Sequence, residues 1–402
     1  MKPLEGYTVI DLTTFVAAPF CARLLSDMGA RVIKIETLKG DGWRNSGISM
    51  GPRRFSAAEN PIFDLYNSGK DLISLNLKTE DGMAVMHQLL AKADVFITNN
   101  RPAALKRLGL SYEDLKEKYP RLIYGIVLGF GEKGPDADKP AYDTTAFWTR
   151  SGFLRDCAPV TKDYLPVDPP ASVGDSYTGT NLAMQVLAAI LVRQQTGRGQ
   201  YIKSSLYHIG VFAMGSMTVK TQRPFGSIYP GTHWDIRPAA GAFQCADGEW
   251  IFLSSAPRTV FEAAGRPELI DDPIWLPENL AKTKKQRYET LKALFLTKTL
   301  DEWMALLTPL DTPTVRMPHF ADVSEDPQAW ANRYLEKVTY PTGFTHSIPT
   351  CPIEMECMED EPIVTQVTRC VGQDTATILK ELGYTQEQID KMAENEIVRC
   401  GQ

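Results

Sequence analysis

A strand, a helix and a second strand follow one another within the first 35 residues, and nothing else in the chain constrains its fold more. Val9-Ile10 with Leu12 reads as a short buried strand. Cys21, Leu24, Leu25 and Met28 then recur at helical spacing until Gly29 stops the pattern, and Val32 to Ile35 makes the second strand. A crossover of this length joins parallel strands, so the chain opens in a Rossmann-like manner. The turn after the first strand lacks Gly-x-Gly-x-x-Gly, the pattern that lets backbone approach a dinucleotide pyrophosphate. Phe15 to Ala18 stand there instead, which disfavours NAD or FAD.

The alternation continues. Ile73, Leu75 and Leu77 repeat at period two, a helix from Thr79 carries Met86, Leu89 and Leu90, and Val95 to Thr98 makes another strand. Ser111 with Asp114 forms a capping-box pattern, and Leu122 to Leu128 is a further strand. Residues 129–180 are rich in glycine and proline, and long connections leaving strand ends are where α/β proteins place their sites. A core helix is expected from about Tyr177 to Thr196, stopped by Gly197 and Gly199.

Pro224, Gly226, Pro230, Gly231 and Pro238 mark a linker, after which Phe243 to Leu253 reads as a hairpin around Asp247-Gly248. Helices near Lys282 to Leu296 and Asp301 to Leu307 follow. The tail returns to α/β habits, with a helix Thr375 to Leu382 and another capped by Thr385 and Gln388. The expected division is therefore a large domain over 1–224, a smaller α+β domain over 225–332, and a return to the large domain over 333–402.

Composition limits the functions available. With 402 residues, 43% hydrophobic and 23% charged, the chain is a globular protein large enough for an enzyme. Its net charge of −6 repels a polyanion, so nucleic acid is not expected as a partner. The longest apolar run, Leu182 to Val192, is about half of the roughly 20 residues that a membrane-spanning helix needs. Met1 to Tyr7 has neither the basic start nor the apolar stretch of a secretory signal, which points to the cytoplasm. Seven scattered cysteines without a Cys-x-x-Cys pair are expected to be reduced, and five histidines without ligand spacing predict no metal.

Gly174-Asp175-Ser176 precedes the core helix, which puts Asp175 near its N-terminus, where unpaired N–H groups and the helix dipole favour a carboxylate. Two readings compete: an ordinary N-cap at Asp175 or Ser176, or a reactive carboxylate.

Gly174-Asp175, the long apolar helix and Thr196-Gly197-Arg198-Gly199-Gln200 together resemble the class III CoA-transferases. Leu4-Glu5-Gly6, Ala18-Pro19, Gly29 to Glu36, Asn67-Ser68-Gly69-Lys70, Arg101-Pro102 and Leu379 to Tyr384 resemble the same family in order along nearly the whole chain. The resemblance implies a Rossmann-like large domain built from both chain ends, a small domain between them, and a homodimer of interlocked ring-like subunits. It implies an aspartate nucleophile at Asp175, which passes through a mixed anhydride and an aspartyl-CoA thioester. A carboxylate ionised at neutral pH, with backbone N–H donors nearby for the oxyanion, would suit that chemistry.

Carried over by resemblance, the CoA-binding positions are Val16, Leu75, Lys78, Asn99, Asn100, Arg107 and Leu108, with Lys139 a looser match. Lys and Arg suit phosphates, Asn the adenine or pantetheine amides, and Val and Leu the apolar parts. CoA is expected as a substrate, with no permanently bound cofactor. The glutamine of the oxalate-handling branch corresponds to Val16, and no four-glycine run follows residue 225, so formate and oxalate fit poorly. An apolar Val16 with Phe147 and Trp148 suits a larger acyl chain.

Related racemases carry histidine where Tyr142 stands, and a tyrosine of ordinary pKa is a poor base at neutral pH. Racemisation is therefore the alternative reading, with a catalytically silent CoA-binding protein the other, and Tyr142 and Asp143 are expected to position the acyl group. Gly131 to Pro135, Asp143 to Phe147 and Gln328 to Asn332 most resemble the transferases of amino-acid-fermenting anaerobes. That resemblance implies an (R)-2-hydroxy acid acceptor, such as phenyllactate or 2-hydroxyisocaproate. The matching donors are cinnamoyl-CoA or an isocaproyl or isocaprenoyl thioester, and the partner downstream is a 2-hydroxyacyl-CoA dehydratase.

Overall fold

The computed structural model describes residues 2–46, 59–156, 169–170, 172–225, 239–254, 257–359, 367 and 370–401. Gly226, Pro230, Gly231 and Pro238 of the expected linker, together with Cys157 and His233, lie outside them.

The chain forms two compact units, one of Met1–Phe153, Pro169–Ser216 and Pro327–Gln402, the other of Leu154–Asp168 and Met217–Asp326. The first is organised by a seven-stranded sheet. Six of its strands are β1 (Thr8–Leu12), β2 (Arg31–Glu36), β3 (Asp71–Leu75), β4 (Val95–Thr98), β5 (Ile123–Leu128) and β6 (Tyr201–Ser205). They lie in the order β3-β2-β1-β4-β5-β6 and pair in parallel. A short strand, Val398–Arg399, closes the β3 edge in the antiparallel sense. This is the doubly wound order, with its reversal between β1 and β4.

Both faces of the sheet are covered, which is why its strands read as near-continuous apolar runs. On one face, helix α1 (Ala17–Asp27) packs with Cys21, Leu24 and Leu25 against Val9, Val32 and Val95. On the other, Ile10, Ile33 and Phe96 meet Val85, Met86, Leu89 and Leu90 of helix α2 (Glu80–Lys92) and Ile378 and Leu379 near the C-terminal end. The core helix, α3, spans Val173–Thr196 and ends at Gly197 in the left-handed conformation. Leu182, Val186 and Ile190 bury its inner side in the same cluster as α1. Gly179 permits that contact, since a Cβ there would lie 2.4 Å from the Ala17 carbonyl.

The second unit holds a three-stranded antiparallel sheet in which Gly241–Gln244 and Trp250–Leu253 pair as the expected hairpin, joined by Thr314–Arg316. Helices Lys284–Phe295 and Leu300–Leu307 enclose a core around Phe243, Phe295 and Trp303. In the tail of the first unit the sequence pattern does not announce an antiparallel hairpin, Leu335–Thr339 with Thr345–Pro349, that turns at Gly343. The capping box of Thr385 and Gln388 forms as expected.

Candidate active site

In a doubly wound sheet the crevice opens beyond the carboxyl ends of the strands at the reversal point, because the loops leaving β1 and β4 diverge there. A cavity of about 300 Å³ occupies that place. The segment after β1 contributes Thr14, Phe15 and Val16, and the segment after β4 contributes Asn99, Asn100 and Arg101. Gly129 after β5, Lys139, Tyr142 and Asp175 complete much of the wall.

Of the residues carried over by resemblance, Val16, Asn99, Asn100, Lys139, Tyr142 and Asp175 therefore meet at one cavity. Asn99 and Asn100 also hold the loop after β1. Asn99 Oδ1 accepts from Thr14 N–H at 3.0 Å while its Nδ2 donates to Thr14 O at 2.7 Å. Asn100 Nδ2 donates to Leu12 O at 3.1 Å. Lys139 is exposed and paired with Asp136 at 2.5 Å. Leu75, Lys78, Arg107 and Leu108 do not line this cavity. Leu75 is buried in the sheet core, Lys78 and Arg107 are exposed, and Leu108 packs partly buried against the core. Arg101, which sequence reasoning quoted only as part of a motif, does line it.

The helix carrying Asp175 starts earlier than its periodicity suggests, at Val173, so neither Asp175 nor Ser176 is the N-cap. Ser172 holds that position in a left-handed conformation, φ 76°, without a side-chain cap. Asp175 is thus in the first turn and half-buried. Burial, with the Asp143 charge adding to it, pushes its carboxyl up to about 7. The expectation of a carboxylate fully ionised at neutral pH is corrected accordingly, for desolvation and a like charge outweigh the helix dipole here.

Asp143 supplies the second, smaller cause after burial. It is 6% exposed and opens a π-helix, Asp143–Thr149, a conformation that recurs at functional sites. Its Oδ2 accepts from the Trp148 indole N–H at 3.1 Å, and its Oδ1 is buried without a hydrogen-bond partner. Burial raises its pKa; Trp148 and the backbone N–H groups of Ser172, Asp175 and Gly174 counter this. The start of the helix thus lies against the Asp143 carboxyl. Gly174 makes the contact possible, because a Cβ there would lie 2.2 Å from both Asp143 Oδ1 and Phe147 Cγ.

Tyr66 is a neighbour that sequence reasoning missed. It is buried, and its ring stands edge-on to Phe20 at 6.0 Å and to Trp43 at 6.3 Å. Burial raises its pKa, with the Ser172 and Ser176 hydroxyls opposing and the Asp175 charge adding to the rise. Its hydroxyl keeps its proton beside Asp175. Among the described residues no cluster of His, Cys, Asp or Glu has the arrangement to hold a metal ion, and no helix is long and apolar enough to cross a membrane.

This chain belongs to CoA-transferase family III, whose model matches residues 4–368. It is accordingly an enzyme that transfers CoA, with CoA thioesters as substrates. It is 36% identical over 405 aligned residues to an (R)-2-hydroxy-4-methylpentanoate CoA-transferase of Clostridioides difficile, covering 98% of this chain and 99% of the relative. A cinnamoyl-CoA:phenyllactate CoA-transferase of Clostridium sporogenes is also 36% identical, over 96% of this chain and 95% of the relative. Among solved structures, a CAIB/BAIF family protein from Brucella suis matches with a TM-score of 0.79 at 26% identity, covering 95% of this chain and 99% of that one.

Proposed function

We propose that this enzyme moves CoA from an acyl-CoA to an (R)-2-hydroxy acid through covalent chemistry at Asp175. The observation that carries the proposal is a half-buried carboxyl, poised near pH 7, in the wall of the cavity at the sheet's reversal point. The two relatives named for 2-hydroxy acids support the acceptor class.

In this reading the Asp175 carboxylate attacks the thioester carbonyl, the C–S bond breaks, and CoA leaves as thiolate from a mixed anhydride. The thiolate then attacks the Asp175 acyl carbon, which frees the donor acid and leaves an aspartyl-CoA thioester. The acceptor carboxylate displaces that thiolate to form a second anhydride. Attack of the thiolate on the acceptor's carbonyl gives the new thioester and restores Asp175. Val16, Asn99, Asn100, Lys139 and Tyr142 would flank the reacting end of the CoA thioester, with Asp143 holding the helix start. Lys78, Arg107 and Leu108 are proposed as CoA contacts beyond the cavity, Lys78 and Arg107 toward phosphates, while the side chain of Leu75 stays in the core. A cytoplasmic homodimer that supplies a 2-hydroxyacyl-CoA dehydratase fits the acceptor class.

One incubation tests the proposal: enzyme in deuterated water with cinnamoyl-CoA, 4-methylpentanoyl-CoA, a 2-methylacyl-CoA and free 2-hydroxy acids, read by mass spectrometry. A 2-hydroxyacyl-CoA product is expected, and it should vanish in Asp175→Ala while CoA binding survives. Deuterium entering the 2-methylacyl-CoA without a new thioester would make the enzyme a racemase instead.

A further inference from the structure

Phe15 has φ 64°, a left-handed backbone that a bulky residue rarely adopts and only under strain. Such a conformation persists only where the surroundings enforce it, and here they do. The Phe15 N–H donates to Asp41 Oδ1 at 3.2 Å, and the Trp43 N–H donates to the same oxygen at 2.9 Å. Asp41 Oδ2 pairs with Lys34 Nζ at 3.0 Å, and that ammonium also donates to Thr13 O at 2.9 Å. Glu36 Oε1 accepts from the Asp41 N–H at 3.0 Å and is itself paired with Arg44. Lys34, Glu36, Asp41 and Arg44 are all buried, so the charges gripping this turn carry a desolvation cost.

What the strained turn delivers is a ring. Phe15 lines the Asp175 cavity and meets Tyr142 edge-on, centroids 5.8 Å apart at 76°. Trp43 supports it from behind at 6.2 Å. Phe15 and Tyr142 come from different segments of the cavity wall, one three residues after β1 and one just before the π-helix. Glycine would relieve the backbone strain at position 15. The ring therefore has a use that outweighs the strain.

We infer that Phe15 is the specificity-determining residue for the side chain of the bound acid, which packs against the wall that Phe15 forms with Tyr142. Asp41 is the positioning residue that holds this wall in place. The inference rests on the proposed function in one respect: the acid is taken to be the CoA acceptor.

The test compares a branched acid, 2-hydroxy-4-methylpentanoate, with a small one of the same head group, lactate. Wild type should favour the branched acid in kcat/KM. Phe15→Gly should lower that preference about tenfold or more, almost entirely through the branched acid, since the single methyl group of lactate offers the ring little to pack against. Phe15→Leu should fall between, and Asp41→Asn should lower the preference while leaving the KM for the CoA thioester unchanged. Acid binding measured by saturation-transfer NMR reads the same ratio without turnover. An unchanged ratio in Phe15→Gly, by kinetics or by binding, overturns the inference. If wild type binds the acids with the expected preference, loses it in Phe15→Gly, and transfers CoA to neither, the inference stands and the transferase assignment to 2-hydroxy acids falls.

Discussion

Replacing Asp175 by Asn should make the folded protein more stable above neutral pH while abolishing transfer. The Asp175 carboxyl rises from an ordinary 3.8 to about 7 on folding. A raised carboxyl pKa means that the folded state holds the proton more tightly, so ionising this group opposes folding. At about 1.4 kcal/mol per pH unit, the full penalty is about 4 kcal/mol, reached above pH 7. Asp175 is only half-buried, and solvent relaxation brings the expected gain in Asp175→Asn nearer about 2 kcal/mol. The gain should fall to less than half by about pH 5 and disappear below the unfolded pKa. Urea unfolding of both proteins at pH 8, 6.5 and 5 measures it, following the first unit through its own transition. Equal or lower stability of Asp175→Asn at pH 8, or a gain that does not change with pH, would refute the assignment of strain to this carboxylate.

The same carboxyl sets a rate profile: kcat/KM should climb with pH through about 7 as the nucleophile ionises, and Asp143→Asn should move that rise to lower pH by removing the like charge. Gly174→Ala forces a methyl group into Asp143 and Phe147; a loss of about 1–3 kcal/mol in unfolding free energy is expected, with a lower kcat. Lys70 is buried and donates to Asp11 Oδ2 and the Pro19 carbonyl, both at 2.8 Å. Lys70→Met leaves the buried Asp11 carboxylate only Lys34 and the Thr13 hydroxyl, and denaturant titration should show a loss of about 3 kcal/mol. Arg107→Ala, at an exposed position, should leave stability unchanged and raise the KM for acyl-CoA; an unchanged KM would remove Arg107 from the phosphate contacts.

The parallel sheet was legible because burial on both faces writes itself into strands such as Val95 to Ile97 and Ile126 to Leu128 as uninterrupted apolar runs, and into Val32 to Ile35 with Lys34 alone breaking the run. Helix ends were legible where a local rule governs them, as at Gly197 or at Thr385 with Gln388. The start of α3 was not, because its first turn is fixed by Asp143 and Phe147, about 30 residues away, and not by a capping side chain of its own. The left-handed turn at Phe15 had no signature either. Phenylalanine gives no hint of positive φ, and the force imposing it comes from Asp41 and from Lys34 on the neighbouring strand. Asp175 could be found by position, but its pKa depends on burial in the folded cavity wall and, after that, on a second carboxylate in a different segment. The CoA positions divide for the same reason. Those on loops leaving β1 and β4 converge at the sheet's reversal point, whereas Leu75 sits inside a strand and faces the core.

The strand Val398–Arg399 adds a temporal consequence. It seals the β3 edge, where it pairs with Ser74 and Leu75, while Asp374 and Thr375 grip the backbone N–H groups of Leu72 and Ser74. During synthesis, β1 to β6 emerge from the ribosome roughly 200 residues before their last neighbour does, in about 10–40 s at ordinary elongation speeds. Over that interval the β3 edge of a hydrophobic parallel sheet stays unpaired in addition to the β6 edge, the kind of surface to which chaperones and other nascent chains adhere. Shortening the chain by its last five residues should therefore harm yield in the cell more than its small loss of buried area suggests.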